Sequence, residues 1–466
     1  RSQRTPRPIV RENFVTYFTR DCDSEDPVNL EQANNAHDAM SWSNAMKEEL
    51  DSFIKNDTWS LVELPEGRKA VKTKWVFKRK RAEDGSVIRH KARLVAKGCS
   101  QQQGIDYKET FSPVVRYESI RLLIALAAQQ GMGIDQMDAI SAYLQGPIDE
   151  EIYVLQPEGF DDKSGKVYRL NKAMYGLKQS GRCWNTCLDN ALQSFGLHKS
   201  AEDPCVYFDK KSNLLIAIYV DDILIFWKDA DVCDSLKSKL TSTFQMKDMG
   251  KARTCVGMTI TYDKDFISIN QSRYAEEVLE RFGMLNCKAV SSPCDASQKL
   301  VAKTDEEPGI NVPYREAVGA LLFLVQGTRP DLAFAVSNVS RYNETHNETH
   351  WTAVKRILRY VRGTINYGIT YRRGSEETVN GFVDADWAND QDERRSFSGY
   401  VFKLAEGAVA WSCKRQQCVA VSSTEAEYVA IAHAAKEAVW LFRFIRQFKE
   451  LDTVILRCDN QSALVM

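Results

Sequence analysis

The sequence predicts an α+β protein with an antiparallel sheet, followed by a mainly helical stretch and a second α/β module. Three observations carry this. Strand-like and helix-like periods alternate without the regular succession that builds a parallel sheet. From about residue 266 helical periods dominate, and from Val379 strands return ahead of one long helix. A chain of 466 residues, 44% hydrophobic and 10% aromatic, can bury sizeable cores and calls for roughly two to four domains.

Taken in order, residues 1–40 open on "RSQRTPRP", pass through the acidic "DCDSEDP" and hold no sustained period. They are expected to form a disordered linker. The chain starts at Arg1 with no basic-then-apolar signal, and it reads as a piece of a polyprotein. Trp42, Ala45, Met46, Leu50, Phe53 and Ile54 follow helical spacing, with Ser41 as N-cap. "AVKTKWVFKRK" and "SVIRHKARLVAKG" are strands joined through "AEDG" as a hairpin. "YESIRLLIALAAQQG" is a helix ended by Gly131, and "MGIDQMDAISAYLQG" is a strand running into a turn. "YRLNKAMYGLKQSGRCWNTCLDNALQSFG" gives a short strand, a glycine-containing turn and a long amphipathic helix; "LLIAIYVDDILIFW" gives a hairpin of two apolar strands. "SRYAEEVLERFGM", "PYREAVGALLFLVQGTRPDLAFAVSNVSRY" and "HWTAVKRILRYVRGT" are helices, with the tandem "NETHNETH" at 343–350 between the last two. The final module places strands at "VNGFVDADWA" and "SGYVFKLAEGAVAWSCKRQQCVAV", a helix at "STEAEYVAIAHAAKEAVWLFRFIRQF" and a strand at "TVILRCDN" that ends on a carboxylate.

No apolar run approaches the roughly 18 residues of a membrane span, so no membrane partner is expected. The twelve cysteines are scattered with no C-x-x-C pair. That argues against a zinc site or a disulfide framework and fits reduced thiols in a cytoplasmic setting. The formal net charge is only −1, yet the stretch from Arg68 to Lys97 is dense in Lys and Arg and holds only Glu83 and Asp84 as acids. Period two puts Arg89, Lys91, Arg93 and Lys97 on one strand face. Either a solvated polar face or a phosphate-binding ribbon accounts for it.

Asp221 and Asp222 sit at the centre of the most apolar stretch of the chain. Two carboxylates about 4 Å apart repel by roughly 4 kcal/mol at an effective dielectric near 20. A solvated turn would relieve this, but a turn that only reverses the chain favours Asn-Gly or Asp-Gly. Divalent cations would turn the same carboxylates into ligands. Asp138, at the end of another apolar strand, supplies a third. Together they would complete a site for two Mg²⁺ ions that activates a primer 3′-hydroxyl and stabilises the leaving pyrophosphate.

"YVDD" (Tyr219 to Asp222) resembles the catalytic hairpin of reverse transcriptases, and "QMDAISAYLQG" resembles their strand with the first metal-binding aspartate. "WSLVELPEG", "KWVFKRK", "HKARLVAKG", "YGLKQSGRCWN" and "RPDLAFAVSNVSRY" are similar to the polymerase region of copia-type LTR retrotransposons, and "DADWA", "SSTEAEYVA" and "CDNQSA" to its RNase H region. The likeness runs in order from about residue 42 to 466. It implies a right-hand polymerase, with fingers and palm at 41–265 carrying the YVDD hairpin, a thumb/connection at 266–375 and an RNase H-like domain at 376–466.

The resemblance also implies roles. Asp138 and Asp221 would hold the metals, with Asp222 beside them, and Tyr143 would screen the sugar 2′-position. Lys91, Arg93 and Lys97 would form the fingers ribbon over the triphosphate, and Lys178 and Gln179 would line the template and nucleotide pocket. Arg182 could equally be a helix-surface charge. Asp384, Glu427 and Asp459 match three of four acidic ligands of an RNase H site for two further Mg²⁺ ions. Alternatives stay open at each: Asp386 in place of Asp384, Glu427 as a surface charge next to a capping Glu425, and Asp459 as a helix cap. Gly181 stands where many relatives have proline or alanine and is expected to loosen the following helix. "NETHNETHW" replaces a usually proline-containing turn. The fourth acidic ligand would lie beyond Met466, so the RNase H domain is expected to be C-terminally incomplete and impaired.

The activity implied is RNA- and DNA-directed DNA polymerisation with RNase H. The implied partners are an RNA template, an RNA/DNA hybrid, a tRNA primer, dNTPs, and the Gag, protease and integrase of the same element. The setting would be a cytoplasmic virus-like particle, with nuclear delivery of the DNA for integration. A decayed or domesticated non-catalytic nucleic-acid-binding relic and a host repair-type DNA polymerase are the rival readings.

Overall fold

A computed structural model describes residues 26–81, 86–295, 297–304 and 309–465. The chain divides into two compact units, Arg1–Ser112 with Ser141–Asp189, and Pro113–Ile140 with Asn190–Met466. Neither is continuous in sequence, so divisions drawn at 40, 265 and 375 do not coincide with them.

The first unit opens with α1 (Leu30–Asn35) and α2 (Ala39–Lys55), then β1 (Trp59–Val62), β2 (Thr73–Arg81) and β3 (Val87–Ala96). Folded structure therefore includes residues 26–40, where a linker was expected; residues 1–25 of that segment lie outside the described residues. The cause is a buried ion-pair network. Arg79 lies 3.3 Å from Asp26 and 2.9 Å from Asp38, and His90 Nε2 is 2.6 Å from Asp38. Burial pushes the Asp38 carboxyl up, but Arg79 and His90 outweigh it and hold it well below the usual carboxylate range. Pairs between residues this far apart leave no periodic trace in the sequence. With Asp38 ahead of the first turn, α2 starts at Ala39 and takes Ser41 inside it instead of using it as a cap.

β2 and β3 pair antiparallel from Thr73↔Ala96 to Arg81↔Val87; the "AEDG" turn at 82–85 lies outside the described residues. Trp75, Phe77, Ala92 and Leu94 are buried on one face, where they pack under α2. α3 (Tyr117–Gln130) and β4 (Gly133–Ala139) belong to the second unit, after which β5 (Tyr153–Val154) and β6 (Val167–Leu170) join β1 in a three-stranded sheet, order β1-β6-β5. α4 (Ser180–Ser194) follows the "YGLKQ" turn. Gly181 is its second residue, and a Cβ there would stand 3.3 Å from the Ser112 Cβ.

The second unit contains a six-stranded antiparallel sheet, order β11-β4-β10-β9-β8-β7, with β7 (His198–Lys199), β8 (Val206–Asp209), β9 (Leu214–Tyr219), β10 (Asp222–Trp227) and β11 (Met246–Lys251), and α5 (Ala230–Thr243) between the last two. Leu214 to Ile218 and Ile223 to Phe226 are all buried, which is why β9 and β10 read as continuous apolar runs. Gly131, at φ 67°, ends α3. A second sheet, β12 (Thr254–Cys255), β13 (Met258–Tyr262), β14 (Phe266–Asn270) and β15 (Gly368–Arg372), runs through the boundary expected at 265, which falls in the β13–β14 turn. The helices expected in this stretch are α6 (Ser272–Arg281), α7 (Tyr314–Gly327), α8 (Ala333–Ser340) and α9 (Glu348–Gly363). The tandem "NETH" has a local use. His346 stacks on Tyr314 at 4.5 Å and His350 on Tyr342 at 3.9 Å, while Asn347 and His350 close a capping box on α9.

The chain ends with β16 (Asn380–Asp386), β17 (Phe397–Leu404), β18 (Gly407–Arg415), α10 (Ser423–Arg446), β19 (Ile455–Arg457) and α11 (Gln461–Val465). The strand order is β18-β17-β16-β19, with β19 parallel to β16 across the α10 crossover. Among the described residues no helix is long and apolar enough to cross a membrane.

Candidate active site

In the second unit, β4 lies between β10 and β11, and its register with β10 sets Asp138 directly opposite Asp222. Residues opposite each other in an antiparallel pair share a face. Tyr219 pairs with Asp222, so Val220 and Asp221 are the two loop residues of the β9–β10 hairpin. Ala139 N–H donates to the Asp221 carbonyl at 2.9 Å, which ties the loop to the end of β4. Val220 has φ 59°. A β-branched residue in the left-handed region is strained, and such strain concentrates at functional sites.

Asp135, also on β4, meets Lys237 Nζ at 2.5 Å. Asp222 instead accepts from the neutral Gln136 amide at 3.0 Å. Burial raises the Asp222 pKa, and the charges of Asp221 and Asp138 add to the rise. Three acids on one sheet end, one of them half-buried and raised, are a donor set suited to hard divalent cations.

In the first unit, β3 puts Arg89, Lys91 and Arg93 on the face away from the core. Lys91 is opposite Lys78, and Arg89 is opposite Lys80. Like charges directly opposed in a sheet destabilise it, and acids of α2 offset part of this: Glu48 pairs with Arg89 at 2.9 Å, and the Glu49 charge acts on Lys91 and Arg93. Burial, then Arg93 and Lys80, lower the Lys91 pKa to about 8. Lys97 falls outside this face: β3 ends at Ala96, and Lys97 is an exposed residue entering the 3₁₀ turn Gly98–Ser100.

The "YGLKQ" turn packs against the end of β3, with Ala96 N–H donating to the Tyr175 carbonyl at 2.8 Å. Gly176 has φ 89°, and a Cβ on it would come within 2.2 Å of the Ala96 carbonyl oxygen. The Arg93 guanidinium carbon lies 4.3 Å from the Tyr175 ring centroid, and Tyr143 lies 5.2 Å from the same ring. Tyr175, which sequence reasoning did not single out, is where these two side chains meet, and its only signal in the sequence was its place ahead of the glycine. Gln179 needs a correction. It is 1% exposed, accepts from Gln101 Nε2 at 3.1 Å and donates to the Asp106 carbonyl at 2.8 Å. Both ends of its amide are committed, so it braces the turn and does not line a nucleotide pocket. Lys178 stays exposed, its Nζ 3.1 Å from the Tyr107 hydroxyl.

The last module of the second unit gathers a further acidic group. Among the described residues, ligand atoms of Glu427, Cys458 and Asp459 all lie within 4.8 Å of one another. Asp384 stands outside that group, and so do Asp138, Asp221 and Asp222 as a set. Glu427 is 6% exposed; its Oε1 accepts from Ala385 N–H at 3.2 Å and its Oε2 from the Cys458 thiol at 3.7 Å. Burial raises its pKa, with Asp384 and Asp459 adding to the rise. Cys458 was not anticipated.

The alternatives left open in the sequence separate here. Glu425 serves the helix start, accepting from Val421 N–H at 2.7 Å while its own N–H meets Ser422 Oγ at 3.1 Å, and Glu427 is buried and is not a surface charge. Asn460, not Asp459, caps α11 through Ala463 N–H at 2.9 Å. Asp386 accepts from the Asn389 amide, and the charge of Asp384 acts on both Asp386 and Glu427. A cleft of about 670 Å³ opens at Asp384 and Asp386, walled by Phe382, Trp387, Trp411 and Phe334.

Residues 56–296 match the family model described as reverse transcriptase (RNA-dependent DNA polymerase). The chain is 42% identical to the retrovirus-related Pol polyprotein from transposon TNT 1-94 of Nicotiana tabacum, over 100% of this chain and 36% of that protein. It is 37% identical to the Pol polyprotein from transposon RE1 of Arabidopsis thaliana, over 91% of this chain and 29% of that protein. The chain thus spans about a third of the length of these relatives. The foamy viral protease-reverse transcriptase solved with an RNA/DNA hybrid aligns over 86% of this chain and 47% of its own at a TM-score of 0.47 and 12% identity. The chain belongs to the reverse transcriptase (RNA-dependent DNA polymerase) family, in the form found in the Pol polyproteins of copia-type plant transposons.

Proposed function

We propose that this chain copies an RNA template, and then the first DNA strand, into DNA by two-metal nucleotidyl transfer, and that its last module cleaves RNA in the resulting hybrid. The observation that carries the first part is the Asp138↔Asp222 register beside the strained Val220–Asp221 loop. Asp138, Asp221 and Asp222 would hold two Mg²⁺ ions, which when bound lower the pKa of the primer 3′-hydroxyl and neutralise the leaving pyrophosphate. In the reaction the 3′-oxygen bonds to the α-phosphorus of the dNTP, the bond to the pyrophosphate oxygen breaks, and the hydroxyl proton leaves to solvent. Lys91 and Arg93 bind the triphosphate, and Tyr143 limits room at the sugar 2′-position. The template, primer and dNTPs are the substrates. The other products of the same Pol gene and its Gag are the expected partners, in a cytoplasmic particle.

For hybrid cleavage, Asp384, Glu427 and Asp459 would hold Mg²⁺, supported by the buried, raised Glu427 and by the charge of Asp384 acting on it. The test is primer extension with Mg²⁺ on poly-rA and poly-dA templates, beside release of labelled RNA from a hybrid. Extension should occur on both templates and vanish in Asp138→Asn and Asp221→Asn, with folding retained. Extension surviving either change would show the metal site to be misassigned. Template binding without extension by the parent would favour the non-catalytic relic.

A further inference from the structure

The ring of Tyr175 is the point where Arg93 and Tyr143 meet. The Arg93 guanidinium carbon lies 4.3 Å from its centroid, and the Tyr143 ring lies 5.2 Å away at 60°. These three residues come from a strand, a turn and a 3₁₀ segment more than 30 positions apart in sequence. The Tyr175 backbone is held independently of its ring. Its carbonyl takes Ala96 N–H at 2.8 Å. Two glycines let the segments approach so closely: a Cβ on Gly176 would come within 2.2 Å of the Ala96 oxygen, and one on Gly98 within 2.1 Å of the Gly176 oxygen. A tyrosine anchored this way presents a half-buried aromatic face with little freedom of its own.

A guanidinium on a long chain gains direction from a flat face, because stacking leaves its planar fork aimed while its donors stay available to phosphate. The Tyr143 ring, packed at an angle on the same tyrosine, likewise gains a wall behind it. We propose that Tyr175 is a positioning residue for the incoming nucleotide, aiming Arg93 at the triphosphate and backing Tyr143 against the sugar. This rests on the polymerase reading given above. Tyr175 touches neither reacting atom and works only through those two side chains.

The experiment is steady-state extension of oligo-dT on poly-rA by the full chain, with dTTP and with rUTP, in the parent, Tyr175→Leu, Tyr175→Phe, Arg93→Ala and the Tyr175→Leu/Arg93→Ala double variant. Loss of the stacked face should raise the KM for dTTP by about fivefold while kcat changes by less than about twofold. The preference for dTTP over rUTP should fall in the same variant. Tyr175→Phe keeps the ring and should restore most of both losses. The double variant should raise KM little beyond Arg93→Ala, because the two changes remove one contact. Unchanged KM and unchanged sugar preference in a folded Tyr175→Leu protein would overturn the proposal while leaving the polymerase reading intact. Tyr175→Met, which keeps volume without an aromatic face, is read the same way should the leucine variant fail to fold. Misfolding of both would make Tyr175 a core residue and overturn the proposal. No extension by the parent would remove the polymerase reading, and the positioning role with it.

Discussion

Gly176→Ala tests whether the "YGLKQ" turn and the basic strand are one structure. Two costs fall on the substitution. At φ 89° an L-residue pays about 1–2 kcal/mol for the left-handed conformation, offset by about 0.4–1 kcal/mol from the stiffer unfolded chain. The new Cβ would also stand 2.2 Å from the Ala96 oxygen and 2.5 Å from Val95 Cγ1. The first neighbour is backbone, so the two segments must part by roughly an ångström to reach an ordinary contact. Parting breaks the 2.8 Å bond from Ala96 N–H to Tyr175. Overpacking and a lost buried bond each cost about 1–3 kcal/mol, for a total of about 2–8 kcal/mol. Gly104 supplies the control: its φ is 84° with nothing within 4 Å of a built Cβ, so Gly104→Ala should cost about 1 kcal/mol or less. Urea unfolding of both variants measures the difference, and the dTTP KM of any folded fraction of Gly176→Ala should rise as Arg93 loses its stacking partner. Equal costs for the two substitutions would refute the close approach on which the reasoning stands.

Tyr143→Val should raise rUTP incorporation relative to dTTP in direct competition on one template, and an unchanged ratio would make the ring mere packing. Lys91, with its pKa brought down to about 8 chiefly by burial, should lose its grip on triphosphate as pH climbs past 8, seen as a rising dNTP KM that is absent in Lys91→Met. The same shift has a sign in stability. Between about pH 8 and its ordinary 10.5 the unfolded chain holds the Lys91 proton that the folded chain has released, so stability should rise with pH across that window, and Lys91→Met should flatten the rise. Arg121→Met should destabilise the second unit by about 2–4 kcal/mol in urea unfolding. The fully buried guanidinium donates to the carbonyls of Val409, Gln326 and Gly327 at 2.8, 2.5 and 3.1 Å, and lies 3.8 Å from the Trp411 ring centroid. A loss below about 0.5 kcal/mol would mean those carbonyls find other donors.

The β9–β10 hairpin was legible because everything that specifies it is local. Two apolar runs hinged on two adjacent acids are visible within 14 residues, and the alternation in β2 and β3 and the Gly131 stop of α3 are equally short-range. The strain at Val220 was not legible, since a turn residue's φ depends on the pairing that forces it. Nor was the folding of residues 26–40, which hangs on Arg79, nor the helix-rich stretch after 265 being threaded by β14 and β15, which lie a hundred residues apart.

By itself, then, the sequence determined which residue types could do the chemistry and on which strands and helices they stand. The tertiary structure alone decided their company. It set Asp222 against Asp138 and took Asp135 away to Lys237; it buried Gln179 between Gln101 and Asp106, brought Tyr175 onto Arg93, and put Cys458 beside Glu427. The physical reason is range. Periodicity and turn propensity act over a few residues and are written in the order of the chain, whereas an ion pair, a stacked ring or a buried amide forms only after segments far apart in sequence have been packed side by side.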